Sequence, residues 1–327
     1  MTKPTTPSQP ISVGVVVLNY CNAAATRRCL ESLKQLSYPQ WQLLVVDNAS
    51  GDGSGETIAG WQGDTSLPDF TFIQSPTNGG YSAGNNLGIQ HCLKNNVDAI
   101  WILNNDTTVD PNALTALIEA SNQTGGIVGS LLRYPDGRFQ QAGIRINDWR
   151  GQLRGYAADR CENATEPLPV DAISGASWLI PRAVLESVGL LPHEFFLYVE
   201  DVAYCVKARR AGFLIHVAPQ SVVHHEEGAT TGRTSLRTHY YYHRNRVALW
   251  RQAMPWPQQL SMGLYSVYRG IREVLKNQRL GEIGAQRTRV FWQAVADGWN
   301  QRLGPCPEAL NQAINPTQSF QTILETM

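Results

Sequence analysis

Residues 11–18 form a nearly unbroken apolar run with Val13-Gly14-Val15-Val16-Val17-Leu18 at its centre. A strand of that composition has no face to offer to water, so it belongs in a parallel sheet covered by helices on both sides. The pattern recurs at residues 41–46, 70–73 and 99–103, and between the first two runs Leu30, Leu33 and Leu36 sit at helical spacing. Three strand–helix repeats before residue 100, with polar residues at the strand C-terminal ends, predict a doubly wound α/β sheet with its ligand site along that edge.

The residues leaving each strand narrow the chemistry. The first run ends in Asn19-Tyr20-Cys21-Asn22, where a dinucleotide-binding dehydrogenase would carry Gly-x-Gly-x-x-Gly, so that class is excluded. The second enters Asp47-Asn48-Ala49-Ser50-Gly51-Asp52-Gly53-Ser54, a polar loop able to cap the next helix through Asp52 or Ser54. After the third, Asn78-Gly79-Gly80-Tyr81-Ser82-Ala83-Gly84-Asn85-Asn86-Leu87-Gly88 opens a helix running to about Lys94. Glycines there allow the backbone close to a phosphate or ribose, or serve packing alone. The fourth ends in Leu103-Asn104-Asn105-Asp106-Thr107. That cluster suits a turn, and an Asp just past a buried strand is also placed to hold a divalent metal on a diphosphate.

At 327 residues, 43% hydrophobic and 17% charged, the chain is globular and long enough for about two domains. Its 27 basic and 27 acidic residues cancel, yet residues 231–327 hold 12 basic against 5 acidic and residues 1–230 hold 15 against 22. A basic C-terminal third suits an anionic lipid surface, a lipid-diphosphate acceptor, or a solvated helical face; nothing points to nucleic acid. Six scattered cysteines include no Cys-x-x-Cys pair, so neither a disulfide framework nor a zinc site is expected. Residues 1–10 read as a disordered tail on a cytoplasmic protein. No run reaches the roughly 18 apolar residues that span a bilayer, so membrane contact would be peripheral, at the inner face of the plasma membrane. In the C-terminal region, Leu260, Leu264, Val267, Ile271 and Val274 recur at four-and-three spacing, with Arg269, Arg272 and Lys276 off the stripe. An amphipathic helix is expected, packed against the body or lying on a membrane.

Taken together, residues 15–19 (VVVLN), 45–54 (VVDNASGDGS), 78–88 (NGGYSAGNNLG) and 103–107 (LNNDT) resemble, in order and spacing, the inverting family 2 glycosyltransferases of the glycosyltransferase-A fold. The likeness is to the bacterial rhamnosyltransferase and cell-wall branch. It extends through Ser174-Gly175-Ala176, Pro181-Arg182, Gly189, Phe195-Phe196-Leu197-Tyr198-Val199-Glu200-Asp201, Ala211-Gly212-Phe213, Pro219, His225 and Arg244-Asn245.

The resemblance implies a Rossmann-like, mostly parallel sheet over residues 11–232 and a helical extension over 233–327. It implies transfer of a sugar such as rhamnose from a dTDP or UDP sugar to a hydroxyl of a cell-surface glycan or lipid-linked acceptor. Asp106 and His225 would hold Mn²⁺ or Mg²⁺ against the leaving diphosphate. Asp201, beside Glu200, would take the acceptor proton; Asp47 would bind the base imide, with Asn19 and Tyr20 lining the base pocket. Gly79, Tyr81 and Asn85 would contact ribose and sugar, Asn104 and Asn105 would belong to the nucleotide-sugar site, Arg244 would neutralise diphosphate, and Trp178 would stack on the acceptor. Residues 228–232 (GATTG) look like a loop closing over the phosphates.

Each assignment has a plainer alternative. Glu200 and Asp201 could cap a helix, His225 could be a surface residue, Trp178 could pack in the core, and Arg244 could stack within Tyr240-Tyr241-Tyr242. The chain departs from the family pattern at Asn104, which replaces the first metal-motif Asp, and at Cys21, Ala203 and Lys207. A sugar-nucleotide-binding protein without catalysis and a membrane-recruited scaffold are the rival functional classes.

Overall fold

The computed structural model of the chain describes residues 10–226, 235–308 and 310. The expected N-terminal tail, apart from Pro10, and the expected loop at 228–232 lie outside the described residues.

The first half runs β1 (Val13–Asn19), α1 (Ala23–Leu33), β2 (Trp41–Asp47), α2 (Ser54–Ala59), β3 (Phe70–Gln74), α3 (Tyr81–Lys94), β4 (Ala99–Asn104), β5 (Thr107–Val109) and α4 (Ala113–Thr124). It continues with β6 (Ile127–Arg133), β7 (Phe139–Gln141), β8 (Ile144–Asn147), β9 (Gln152–Gly155), α5 (Ala158–Glu162), β10 (Leu168–Pro169), β11 (Ser177–Pro181) and α6 (Arg182–Val188). The remainder is α7 (Glu200–Arg210), β12 (Ile215–His225), α8 (Leu236–Ala253), α9 (Trp256–Asn277) and α10 (Gly281–Trp299).

The main sheet has the order β10-β12-β6-β11-β4-β1-β2-β3, with β5 paired to β12 and β7 to β6. Strands β4, β1, β2 and β3 are parallel, as their apolar runs predict. Beyond them β11 lies antiparallel to both β4 and β6, so the other half is mixed.

Period-2 alternation explains why the central strands are apolar throughout. Val13, Val15, Val17, Leu43, Val45, Trp101 and Leu103 join one buried cluster with Leu30 and Leu33 of α1 and Leu114 and Leu117 of α4. Val16, Leu44, Val46, Ile100 and Ile102 join the other, with Ile89 of α3, Val202 of α7 and Trp250 of α8. Two helical layers therefore sandwich the sheet, and α8 shares the core of one of them. Gly88 makes α3 fit closely, because a Cβ there would stand 2.5 Å from Val16 Cγ1.

Helix α9 forms as its periodicity predicts, but its apolar stripe does not pack on the body. Leu260, Leu264, Val267, Ile271 and Val274 are exposed, and the helix buries Met262, Ser266, Gly270 and Asn277 instead.

Candidate active site

A cleft of about 410 Å³ opens at the C-terminal edge of the parallel strands. Tyr20, Asn48, Asn78, Gly80 and Tyr81 line one side, Asn104, Asn105, Asp106 and His225 the floor, and Phe196, Leu197, Tyr198, Arg237 and Tyr241 much of the rest. Pro305 and Cys306 complete the wall from the far C-terminal segment. That segment is stitched in place, since the Cys306 amide donates to the Tyr241 hydroxyl and Arg244 Nη1 donates to the Gly304 carbonyl at 2.7 Å.

Pairing between distant strands makes the floor. Strand β5 follows the Asn105-Asp106 turn and runs antiparallel to the end of β12, setting Thr107 opposite His225. The Glu226 amide donates to the Asp106 carbonyl at 2.9 Å. Consequently His225 Nε2 stands 3.3 Å from Asp106 Oδ1, each side chain 10% exposed. Gln140 sets the imidazole. Its Nε2 donates to the His225 carbonyl, leaving its Oε1 to face His225 Nδ1 at 3.1 Å. An acceptor there places the ring proton on Nδ1 and the lone pair on Nε2. Two lone-pair atoms then converge, and Asp106 Oδ1 is buried without a hydrogen-bond partner.

A nitrogen and a carboxylate oxygen so arranged suit a divalent cation, with Mn²⁺ accepting the imidazole more readily than Mg²⁺. Among the described residues no group of three or more His, Cys, Asp and Glu could hold a metal, so phosphate oxygens and water would complete the coordination.

The loop before α7 is backbone under strain. Phe196, Tyr198 and Val199 have φ of 64°, 66° and 73°, a left-handed region unfavourable to residues with a Cβ and most of all to a β-branched one. Asn245 holds it, donating from Nδ2 to the carbonyls of Phe195, Leu197 and Tyr198 at 2.8, 2.8 and 2.7 Å. Arg244 donates to the Phe195 carbonyl at 2.9 Å and to Asn245 Oδ1 at 2.8 Å. Gly80 abuts the same loop: with φ of 87° and a would-be Cβ 2.1 Å from the Phe196 carbonyl, that position admits no other residue without movement. Replacing Asn245 by Leu is expected to lower unfolding stability by about 2–4 kcal/mol, through several unmet carbonyls and released strain. Urea denaturation would measure it, and a change below about 0.5 kcal/mol would contradict the bracing role.

The strained loop delivers Glu200 and Asp201 to the first turn of α7. Asp201 Oδ2 accepts from the Gly175 amide at 2.8 Å and Oδ1 from the Val202 amide at 2.7 Å. The Tyr81 hydroxyl donates to the Gly175 carbonyl, so a chain Tyr81–Gly175–Asp201 connects the cleft wall to the carboxylate. Burial pushes the Asp201 carboxyl above the usual carboxylate range, although the Gly175 and Val202 amides pull the other way. Burial and the neighbouring Asp201 charge push Glu200 well up, and its Oε2 is buried without a partner.

Several residues expected in the site lie elsewhere. Arg244 is fully buried between the rings of Tyr240 and Tyr241, at 5.3 and 4.9 Å, and cannot meet a diphosphate. Trp178 is fully buried in β11, edge-on to Tyr204 at 5.7 Å; it packs the core and offers no surface to an acceptor. Asp47 is fully buried with both oxygens occupied, Oδ1 accepting from Asn19 and Ser50 Oγ, and Oδ2 from the Ser50 amide and Gln74. Burial raises its pKa, but these hydrogen bonds outweigh it and leave the carboxyl below its ordinary value.

Asn19 is buried beneath the cleft. It donates to Asp47 and Ser54 and accepts from Thr26 and Asn105, holding the loops together without lining the pocket. Asn85 is buried and donates to the Tyr81 carbonyl, and Gly79 is passed over in the lining in favour of Asn78 and Gly80. Asn48, not singled out from the sequence, donates to Asn78 Oδ1 and the Gly80 carbonyl and keeps a buried Oδ1 without a partner. Both Asn48 and Asn78 stand inside motifs quoted above, whereas nothing local marked Arg237, Pro305 or Cys306.

A parallel strand edge carrying this cleft, with an antiparallel strand inserted beside it and helices on both faces, is the glycosyltransferase-A fold. Solved structures agree. The mannosyltransferase PcManGT from Pyrobaculum calidifontis, in complex with GDP-Man and Mn²⁺, matches with a TM-score of 0.58 at 15% identity, over 90% of this chain and 89% of that one. The S. aureus TarS 1-349 structure in complex with UDP-GlcNAc matches with a TM-score of 0.57 at 15% identity, over 87% of this chain and 82% of that one.

Residues 12–189 match the glycosyl transferase family 2, and the chain belongs to that family. An N-acetylglucosaminyl-diphospho-decaprenol L-rhamnosyltransferase of Mycobacterium tuberculosis is 24% identical over 301 residues, covering 81% of this chain and 94% of the relative.

Proposed function

We propose that this glycosyltransferase is inverting and metal-assisted, and that it moves a sugar such as rhamnose from a dTDP or UDP sugar to a hydroxyl of a cell-surface glycan or lipid-linked acceptor. The observation that carries this reading is the convergence of His225 Nε2 and the unpartnered Asp106 Oδ1 on the cleft floor. The Mycobacterium tuberculosis relative, whose name specifies a rhamnosyl donor and a decaprenol-linked acceptor, supports the choice of sugar and acceptor. The Mn²⁺ in the Pyrobaculum calidifontis complex supports the choice of cation.

The chain's residues divide the work. Tyr20 flanks the nucleotide base, and Asn48 Oδ1, not the saturated Asp47, accepts from the imide N–H of uracil or thymine. Asp106 and His225 would hold the cation, which when bound stabilises the charge growing on the leaving diphosphate. Asp201 takes the proton from the acceptor hydroxyl as that oxygen attacks the anomeric carbon from the face opposite the diphosphate. Arg237, in the first turn of α8 and lining the cleft, supplies the positive charge that the buried Arg244 does not. Arg237→Ala is expected to raise donor KM about tenfold, as loss of one charge-assisted contact would, while Arg244→Lys destabilises the fold without selectively weakening donor binding. Steady-state kinetics with varied donor checks both.

A thermal-shift screen of nucleotide sugars with and without Mn²⁺ tests the reading as a whole. A dTDP or UDP sugar at a hundred times its Kd adds about 2.7 kcal/mol of stability by mass action. The expected result is a rise in Tm that Mn²⁺ enlarges. Binding without turnover on any acceptor or water would instead favour the non-catalytic rival.

A further inference from the structure

Helix α9 turns a continuous apolar face to solvent. Leu264, Tyr268, Ile271 and Leu275 are 65%, 52%, 53% and 61% exposed, and Trp256 at the start of the helix is 73% exposed. At 3.6 residues per turn these side chains fall within an arc of about 120°. The buried face lies outside that arc, and Gly270 lets the Trp292 ring of α10 approach where a Cβ would collide. No described residue covers the stripe, and no described helix is long and apolar enough to cross a membrane.

Charge selects the occupant. Residues 256–289 contain six basic and two acidic residues. One of the acids, Glu273, sits between Arg269 at 4.0 Å and Arg287 at 3.9 Å. Arg272 and Lys276 are exposed beside the stripe, Arg272 lying over the Tyr268 ring at 5.8 Å. A second copy docking by two-fold symmetry would set these cations against their own equivalents. An apolar stripe with a basic flank and exposed Trp and Tyr is what an interfacial helix presents to anionic lipid.

We propose that α9 docks the enzyme on an anionic bilayer surface, lying in the interface with Leu264, Ile271 and Leu275 among the acyl chains and Arg272 and Lys276 at the headgroups. This deepens the reading of a lipid-linked acceptor by bringing the enzyme to the surface where such an acceptor resides. It rests on that reading only for its purpose: docking is tested without donor or acceptor, so its failure leaves the assigned reaction standing.

The test is flotation of the full-length chain with phosphatidylcholine vesicles and with mixed phosphatidylcholine–phosphatidylglycerol vesicles. The wild type is expected to float with the mixed vesicles, less so at high salt. Leu264→Glu combined with Leu275→Glu should cut partitioning at least about tenfold, with unchanged circular dichroism showing that the fold survives. Arg272→Glu with Lys276→Glu should remove the preference for phosphatidylglycerol. Failure of the wild type to float with mixed vesicles, or equal flotation of the double leucine variant, would overturn the proposal. A wild-type dimer that this variant dissociates would likewise overturn it, assigning the face to a second copy.

Discussion

Asp106→Ala is expected to lower sugar transfer by about 10²–10³-fold even at saturating Mn²⁺, because among the described residues no other carboxylate lines the cleft to replace it. The metal motif keeps Asn104 where the family carries its first Asp, and among the described residues only His225 joins Asp106. Asn104→Ala should therefore cost far less. His225→Ala should be intermediate, leaving the carboxylate and the donor phosphates to hold the cation. Gln140→Ala should weaken Mn²⁺ affinity more modestly, since it frees the imidazole from the orientation that aims Nε2 at Asp106. Full activity in Asp106→Ala would remove the floor of the account.

Asp201→Asn should lower kcat by about 10²–10⁴-fold with donor binding retained, the expected loss for a general base. The amide oxygen can accept from only one of the Gly175 and Val202 amides, the NH2 facing the other, so retained donor binding is the check that the site's geometry persists. The raised carboxyl pKa sets the pH dependence. Activity needs the carboxylate, so it should fall as pH drops through a value above the ordinary Asp range of about 3.9. Stability runs in the opposite sense. A carboxyl whose pKa is raised on folding stabilises the protein below its unfolded pKa, and that contribution is lost as pH rises through the folded value. At neutral pH both Glu200 and Asp201 thus oppose folding, and Glu200→Gln should raise Tm at pH 7 more than at pH 4. An unchanged or lowered Tm at pH 7 would count against the buried, unpartnered state of Glu200.

What could be read from sequence follows the range of the interactions. Residues 13–18, 41–46 and 99–103 announced covered parallel strands because an all-apolar strand has no other stable environment. Loops leaving those strands were legible too, and Asn48, Asn78 and Gly80 were already inside the quoted motifs. The facing of single residues was not. Trp178 and its neighbour Leu179 point to opposite faces of β11 and both are buried, because strands flank β11 on either side and helices cover both faces, which the local sequence does not reveal.

Arg244 shows the same difficulty on a helix. A guanidinium among tyrosines reads equally as a ligand contact or as a brace, and the strained carbonyls of residues 195–198 that make it a brace lie some 50 positions away. Asp47 stands at the expected strand end, yet Gln74 from the neighbouring strand occupies the oxygen that a base would need. Asp106 and His225 meet only because β5 pairs with the end of β12, a contact between residues more than a hundred positions apart. The stripe on α9 was visible as a period, but not that α10 would take the other face.

The central claim is that Asp106 and His225 bind a divalent cation together with the donor diphosphate. Isothermal titration of UDP and dTDP into the wild type and Asp106→Ala, each with and without Mn²⁺, tests it most directly. The account predicts wild-type binding strengthened at least about tenfold by Mn²⁺, with that enhancement absent from Asp106→Ala while the metal-free affinity is unchanged. Equal Mn²⁺ enhancement in the two proteins would contradict it.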